Sequence, residues 1–189
     1  MAHLVCAELD NLRLRIATFS SEYQSGSDKW PFRCCELALL SLDQGNYGVG
    51  AVLVDGHGDL LAESGNQVFY PRFDSSAHAE MKVLDVFERR FPNYSDRQSL
   101  VLYVSLEPCP MCCTRILAAG IGKVVFLAKD QNGGLMSHCN SLPDAWKNIA
   151  QLAEIKEYSG QQELVLLADD LANAQISSLR HKLMAIIRP

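Results

Sequence analysis

No stretch of this 189-residue chain comes near the ~20 consecutive apolar residues that a membrane-spanning helix requires. A surplus of basic residues is also missing. Lys and Arg number 17 against 22 Asp and Glu, for a net charge of −5 and a pI of about 5.5. Binding to a nucleic-acid backbone normally draws on excess Lys and Arg to displace counterions, so the balance points to a small substrate and away from a polynucleotide. Arg89, Arg90 and Arg97 lie close in sequence and read as a solvated helix end. The start, MAHLVCAELD, lacks a basic segment and carries Glu8 and Asp10, unlike a secretory leader. Repeats and low-complexity tracts are absent. The seven cysteines are odd in number and follow no disulfide framework, which suits reduced thiols in a cytoplasmic protein.

Hydrophobic content of 48% and charged content of 21% are those of an ordinary globular protein. The length suits one domain spanning residues 1–189. An accessory first helix is expected at about 4–19 and a C-terminal helical tail at about 173–189. Pro31 marks the start of an apolar helix that ends near Gly45. YGVGAVLVD reads as a buried strand, Asp55 to Asp59 as a hairpin turn, and LLAESGNQV as the return strand. A helix is expected from about Ser76, a strand from Leu100 to Leu106, a helix from PMCCTRILAAG and a strand at KVVFLA. The pattern then predicts a helix from Asp144 to Glu157, a fifth strand at ELVLLA and a last helix from about Asn173 to Ala185. This order makes an α/β fold, a mixed sheet covered by helices, with a parallel pair wherever a helix joins two strands.

The chemistry is concentrated in two short segments, His78-Ala79-Glu80 and Pro108-Cys109-Pro110-Met111-Cys112. One imidazole and two thiols three residues apart can hold Zn²⁺ with three protein ligands and leave a fourth position for water. Cys109 and Cys112 straddle a helix start and share one face, so both sulfurs can reach one point. The positive end of the helix favours thiolates. Glu80, two residues past His78, points to another side of its helix. It is poorly placed as a ligand but well placed beside the open position, as a proton carrier.

Other readings compete. A structural zinc site would need a fourth protein ligand, for which His138 or Cys139 are candidates and Cys113 a poor one. A thioredoxin-like pair also follows a strand and opens a helix, but has no use for His-Ala-Glu. Haem attachment fails because Cys113, not His, follows Cys112.

The H-x-E…P-C-x-x-C pattern is that of the zinc nucleobase deaminases. Over roughly residues 32 to 130 the chain resembles the cytidine deaminase-like superfamily, and within it the bacterial guanine deaminases. The resemblance implies a three-layer helix–sheet–helix fold with a mixed five-stranded sheet, Zn²⁺ as cofactor, His78, Cys109 and Cys112 as its ligands, and Glu80 as the catalytic proton shuttle. It further implies that Asn66 binds the edge of the base, that the N–H of Ala79 donates to a base carbonyl, and that the carbonyl of Pro108 accepts from the departing amine. An acid near Asp144 engages the substrate, with Asp130 as its rival. Phe69, Tyr70, Phe73 and Trp146 are candidate stacking partners. Cys6, Cys34 and Cys35 read as packing residues.

The expected function is hydrolytic deamination of a free purine base, most simply guanine to xanthine and ammonia, by a cytoplasmic homodimer with no nucleic-acid or membrane partner. The alternatives are a cytosine, nucleoside or other amino-heterocycle deaminase, a tRNA adenosine deaminase, and a non-catalytic zinc-binding module.

Overall fold

A computed structural model describes residues 2–188, and side chains from residue 7 onward. The packing role expected for Cys6 lies outside the described side chains. The chain begins with α1 (Ala2–Phe19) and α2 (Lys29–Asp43). A hairpin follows, β1 (Gly50–Val54) and β2 (Leu60–Gly65). Its turn needs a residue at positive φ, supplied by Gly58 at +86°. Asp55 Oδ1 accepts the N–H groups of His57 and Asp59, both at 2.9 Å, and so closes the turn.

Then come α3 (Ala79–Arg90), β3 (Val101–Leu106), α4 (Pro110–Ala118) and β4 (Lys123–Ala128). A 3₁₀ turn at Met136–Ser141 leads into α5 (Asp144–Ala150), β5 (Glu154–Glu157), α6 (Gln162–Asn173) and α7 (Ile176–Ile187).

The sheet runs β2-β1-β3-β4-β5. β1 pairs antiparallel with β2 and β3, and β4 pairs parallel with β3 and β5, so the sheet is mixed and five-stranded as expected. Alternation along β1 shows how both faces are covered. Ala51 and Leu53 join the core under α3 and α4, while Val52 and Val54 pack with Cys34 and Leu37 of α2. A second large core, with Phe32, Cys35, Leu164, Leu167 and Leu171, lies between α2, α6 and α1.

One element differs from its expected type. ELVLLA is not a strand but the first half of α6, and the fifth strand is Glu154–Glu157, inside the segment expected to be helical to Glu157. Leu164, Leu167, Ala168 and Leu171 are all fully buried. Their spacing of three, one and three is one face of a helix, and the five-residue apolar run LVLLA conceals that period. β5 gives little signal of its own because EIKE is a mostly exposed edge strand with little apolar content.

α6 approaches the hairpin closely. A Cβ on Gly48 would lie 2.1 Å from the carbonyl oxygen of Leu171, so only glycine permits this contact. Gln175, at φ +57°, then reverses the chain into α7. α7 buries Leu179 against Val68 and Phe69, with Tyr47 and Leu183 alongside.

Candidate metal centre and its cavity

His78 is the N-cap of α3 and Cys109 the N-cap of α4, each in extended backbone, so both side chains project beyond a helix start. Cys112 sits one turn into α4 and is fully buried. The Nδ1 of His78 lies 3.6 Å from the Sγ of Cys109 and 3.5 Å from that of Cys112. All three donor atoms fall within 4.8 Å of one another. A tetrahedral zinc with ordinary Zn–N and Zn–S bonds would separate its nitrogen and sulfur ligands by about 3.6 Å. The donors are therefore spaced for zinc, with one corner of the tetrahedron left over.

The other candidate ligands point elsewhere. Cys139 Sγ lies 3.7 Å from Cys113 Sγ, and His138 Nδ1 lies 2.9 Å from Ser137 Oγ at the surface. Among the described residues the metal-competent group has only the three members.

Electrostatics follow from the crowding. Cys109 is held down to about 4, first by a hydrogen bond from Cys112 and next by one from His78, against the effect of burial. Cys112 is pushed up because it donates that bond, because it is buried, and because Glu80 is close. Both sulfurs would have to be thiolates to hold zinc, so metal binding would be coupled to loss of the proton they share. Burial disfavours a protonated His78, but Cys109 and Glu80 outweigh it and the net shift is upward. Glu80 is 4% exposed. Burial raises its pKa, partly opposed by a backbone hydrogen bond and by His78.

These groups open into a cavity of about 440 Å³. The structure brings His78, Cys109, Glu80 and Asn66 together on its wall. Asn66 is 3% exposed. Its Oδ1 accepts the N–H of Val68 at 3.0 Å, which leaves the amide NH₂ as the group free to serve a ligand. Ala79 opens α3, where its N–H has no partner within the helix. The carbonyl of Pro108 already accepts the N–H of Leu135 at 3.0 Å and keeps one lone pair for a second donor.

Asp144 is not brought to the cavity. Its side chain, at the first turn of α5, is 92% exposed and pairs with Lys147 at 3.1 Å. The resemblance located an acid after β4, and an acid there does line the cavity, but it is Asp130. Among the aromatic candidates, Phe69 is buried beside α7 and Trp146 packs on the main core, and the ring on the cavity wall is Tyr47.

Sequence reasoning also missed Glu107 and the whole outer wall, which is Ile176, Arg180, Leu183 and Ile187 of α7. Glu107 carried a signal, a carboxylate that ends an apolar strand one residue before the Pro-Cys motif. α7 carried none that tied it to this site.

A family model described as the cytidine and deoxycytidylate deaminase zinc-binding region matches residues 26–128. The chain belongs to that family, and its His/Cys/Cys group is able to hold a metal ion. Among individual proteins, the chain is 35% identical over 112 residues to the tRNA-specific adenosine deaminase of Aquifex aeolicus (strain VF5). That match covers 59% of this chain and 72% of the relative. The chain spans just over half the length of other bacterial tRNA-specific adenosine deaminases that it matches. A structure from a study of A-to-I editing by tRNA:A34 deaminases superposes with a TM-score of 0.58 at 27% identity, covering 66% of this chain and 93% of that one. The guanine deaminase from Bacillus subtilis superposes with a TM-score of 0.50 at 30% identity, covering 56% and 66%. Guanine deaminases thus appear among the structural neighbours, whereas the sequence relatives are mostly tRNA-specific adenosine deaminases and not the guanine deaminases expected as nearest.

Proposed function

We propose that this chain catalyses the hydrolytic deamination of a free amino-substituted purine, with guanine as the substrate and xanthine and ammonia as products. The observation that carries this reading is α7. Four of its side chains line the same cavity as His78 and Cys109, and the cavity's volume of about 440 Å³ suits one small flat molecule.

Zinc held by His78, Cys109 and Cys112 supplies a Lewis acid that polarises the attacking water and offsets charge developing on the ring. Glu80 takes a proton from that water, passes it to a ring nitrogen and then assists the departing amine. A buried carboxyl with a raised pKa is suited to giving a proton back as well as taking one. Asn66 donates its NH₂ to an acceptor on the base, and the N–H of Ala79 donates to the base carbonyl. Asp130 accepts from a ring N–H, and the spare lone pair of Pro108 O receives the leaving amine. Two donors, the Asn66 NH₂ and the Ala79 N–H, and two acceptors, Asp130 and the Pro108 carbonyl, suit a base that carries both a carbonyl and N–H groups on its edge, as guanine does.

A second reading has its own support. Sequence likeness to tRNA-specific adenosine deaminases favours an adenosine in RNA. That substrate would require α7 to leave the cavity mouth and a chain of net charge −5 to hold a polyanion. Ammonia release from guanine, adenine, cytosine and guanosine, each with its product identified, tests the proposal. Xanthine from guanine as the dominant product supports it, and turnover of another base with guanine untouched overturns the assignment.

A further inference from the structure

Glu107 is 3% exposed and lies two residues before a zinc ligand, yet it is not among the donor atoms that could hold the metal. Its two carboxylate oxygens are spent on one loop. Oε1 accepts the N–H of Ser137 at 2.8 Å, and Oε2 accepts the N–H of Asp130 at 3.3 Å. Between those two contacts the loop touches the zinc-binding turn again, where Leu135 donates to the carbonyl of Pro108 at 3.0 Å. The fit leaves no slack. A Cβ on Gly134 would stand 2.5 Å from Glu107 Oε2 and 2.7 Å from Asp130 O. A carboxylate can accept on both of its oxygens, as here, whereas an amide of the same size and pose would turn its NH₂ toward one of the two donors.

The residue held this way is the acid on the cavity wall. Asp130 Oδ1 accepts the N–H groups of Asn132 at 3.0 Å and Gly133 at 2.9 Å, which fixes the rotamer. Oδ2 has no hydrogen-bond partner among the described residues. Glu107 itself lines the same cavity, as do Cys109 and Asp130.

We infer that Glu107 is a positioning residue that sets the place of Asp130, and through it the recognition of the substrate, by clamping the 130–137 loop to the zinc-binding turn. The inference rests on the deaminase reading above and adds to it a link between the metal turn and the substrate wall. The link explains why a buried carboxylate is kept beside two thiol ligands, where a neutral residue would be cheaper to bury. It also makes Asp130 dependent on Glu107. With the clamp gone, the Asp130 carboxylate has no defined position from which to accept a ring N–H.

The test is a double-mutant cycle on the full zinc-loaded chain, using whichever amino-heterocycle the wild type turns over best. Glu107→Gln and Asp130→Asn are each expected to lower kcat/KM by about tenfold, mainly through KM, with zinc content unchanged. If Glu107 acts through Asp130, the double variant loses no more than Asp130→Asn alone. A multiplied loss of about a hundredfold shows two independent roles and overturns the inference, as does a Glu107→Gln protein with full activity or reduced zinc. Hydrogen exchange gives a readout that needs no substrate. The amides of Asp130 and Ser137 are expected to exchange faster in Glu107→Gln while those of α3 and α4 do not change, and unaltered protection at both amides overturns the clamp. Should Glu107→Gln fail to fold, Gly134→Ala presses on the same contact from the other side. It is expected to reproduce the loss and to be non-additive with Asp130→Asn, and full activity in Gly134→Ala counts against the inference. Failure of the guanine assignment appears separately, as a wild type that turns over a different base.

Discussion

α4, whose N-cap Cys109 lines the cavity, and α7, which lines it with four side chains, are anchored very differently. α4 buries Cys112, Cys113, Ile116 and Leu117 in the main core, and its first turn is tied to the 130–137 loop through Pro108 and Glu107. α7 buries only Leu179, and Met184, Ile186 and Ile187 remain exposed along it. The metal-holding side is rigid because its donor atoms must stay within a few tenths of an ångström of one geometry. The outer wall needs only to shape and close a pocket. Few buried contacts make it the side that opens at least cost. Under the proposed reading the chemistry belongs to the deeply anchored side, and the apolar lining from α7 can be altered without touching the metal ligands.

The largest effect is expected on the rigid side. Strong chelation should abolish turnover, and adding Zn²⁺ back should restore it at about one ion per chain. Thermal unfolding should also shift downward on chelation, since the starts of α3 and α4 converge on the ion. Activity that survives complete zinc removal would break the comparison at once. Glu80→Gln comes next. The amide keeps the size of the side chain but cannot carry a proton, so kcat should fall by about 10²- to 10⁴-fold with zinc content intact. Loss of zinc in this variant would mean that Glu80 holds the metal after all.

Substitutions in the wall should be milder and of a different kind. Asn66→Ala removes the free NH₂ and should lower kcat/KM by about tenfold with normal zinc content. Ile176→Ser combined with Leu183→Ser should raise KM by a comparable factor, about tenfold, while kcat stays near the wild-type value. A drop in kcat alone would show that α7 takes part in the chemistry. Asp144→Asn should have the smallest effect. Its carboxylate is exposed and its pair with Lys147 is worth under about 1 kcal/mol, so activity should remain within about twofold.

The same contrast separates what the sequence discloses from what it hides. His78, Glu80, Cys109 and Cys112 lie in two short runs whose spacing follows from helix geometry and metal coordination, so residue order alone reveals them. β1 to β4 are legible because alternation and turn residues are local signals. The acid is harder, because Asp130 and Asp144 both follow β4 and only the path of the 130–137 loop decides which one lines the cavity. ELVLLA misleads because its apolar run suits a buried strand as well as a buried helix. Its helical period appears only when Leu171 is counted with Leu164, Leu167 and Ala168. Glu107 shows in the sequence only as a carboxylate closing an apolar strand before Pro108, and its contacts to the backbone amides of Asp130 and Ser137 leave no trace in residue identity. α7 reaches the cavity through the left-handed turn at Gln175, a conformation that a glutamine does not advertise.

The central claim, that this zinc centre serves a small base within a walled pocket, is tested most directly by giving the wild-type chain free guanine and tRNA in parallel at physiological salt. The account predicts xanthine and ammonia from guanine, with neither inosine in the RNA nor inhibition of guanine turnover by it. Inosine formation in tRNA with no xanthine from guanine would contradict it.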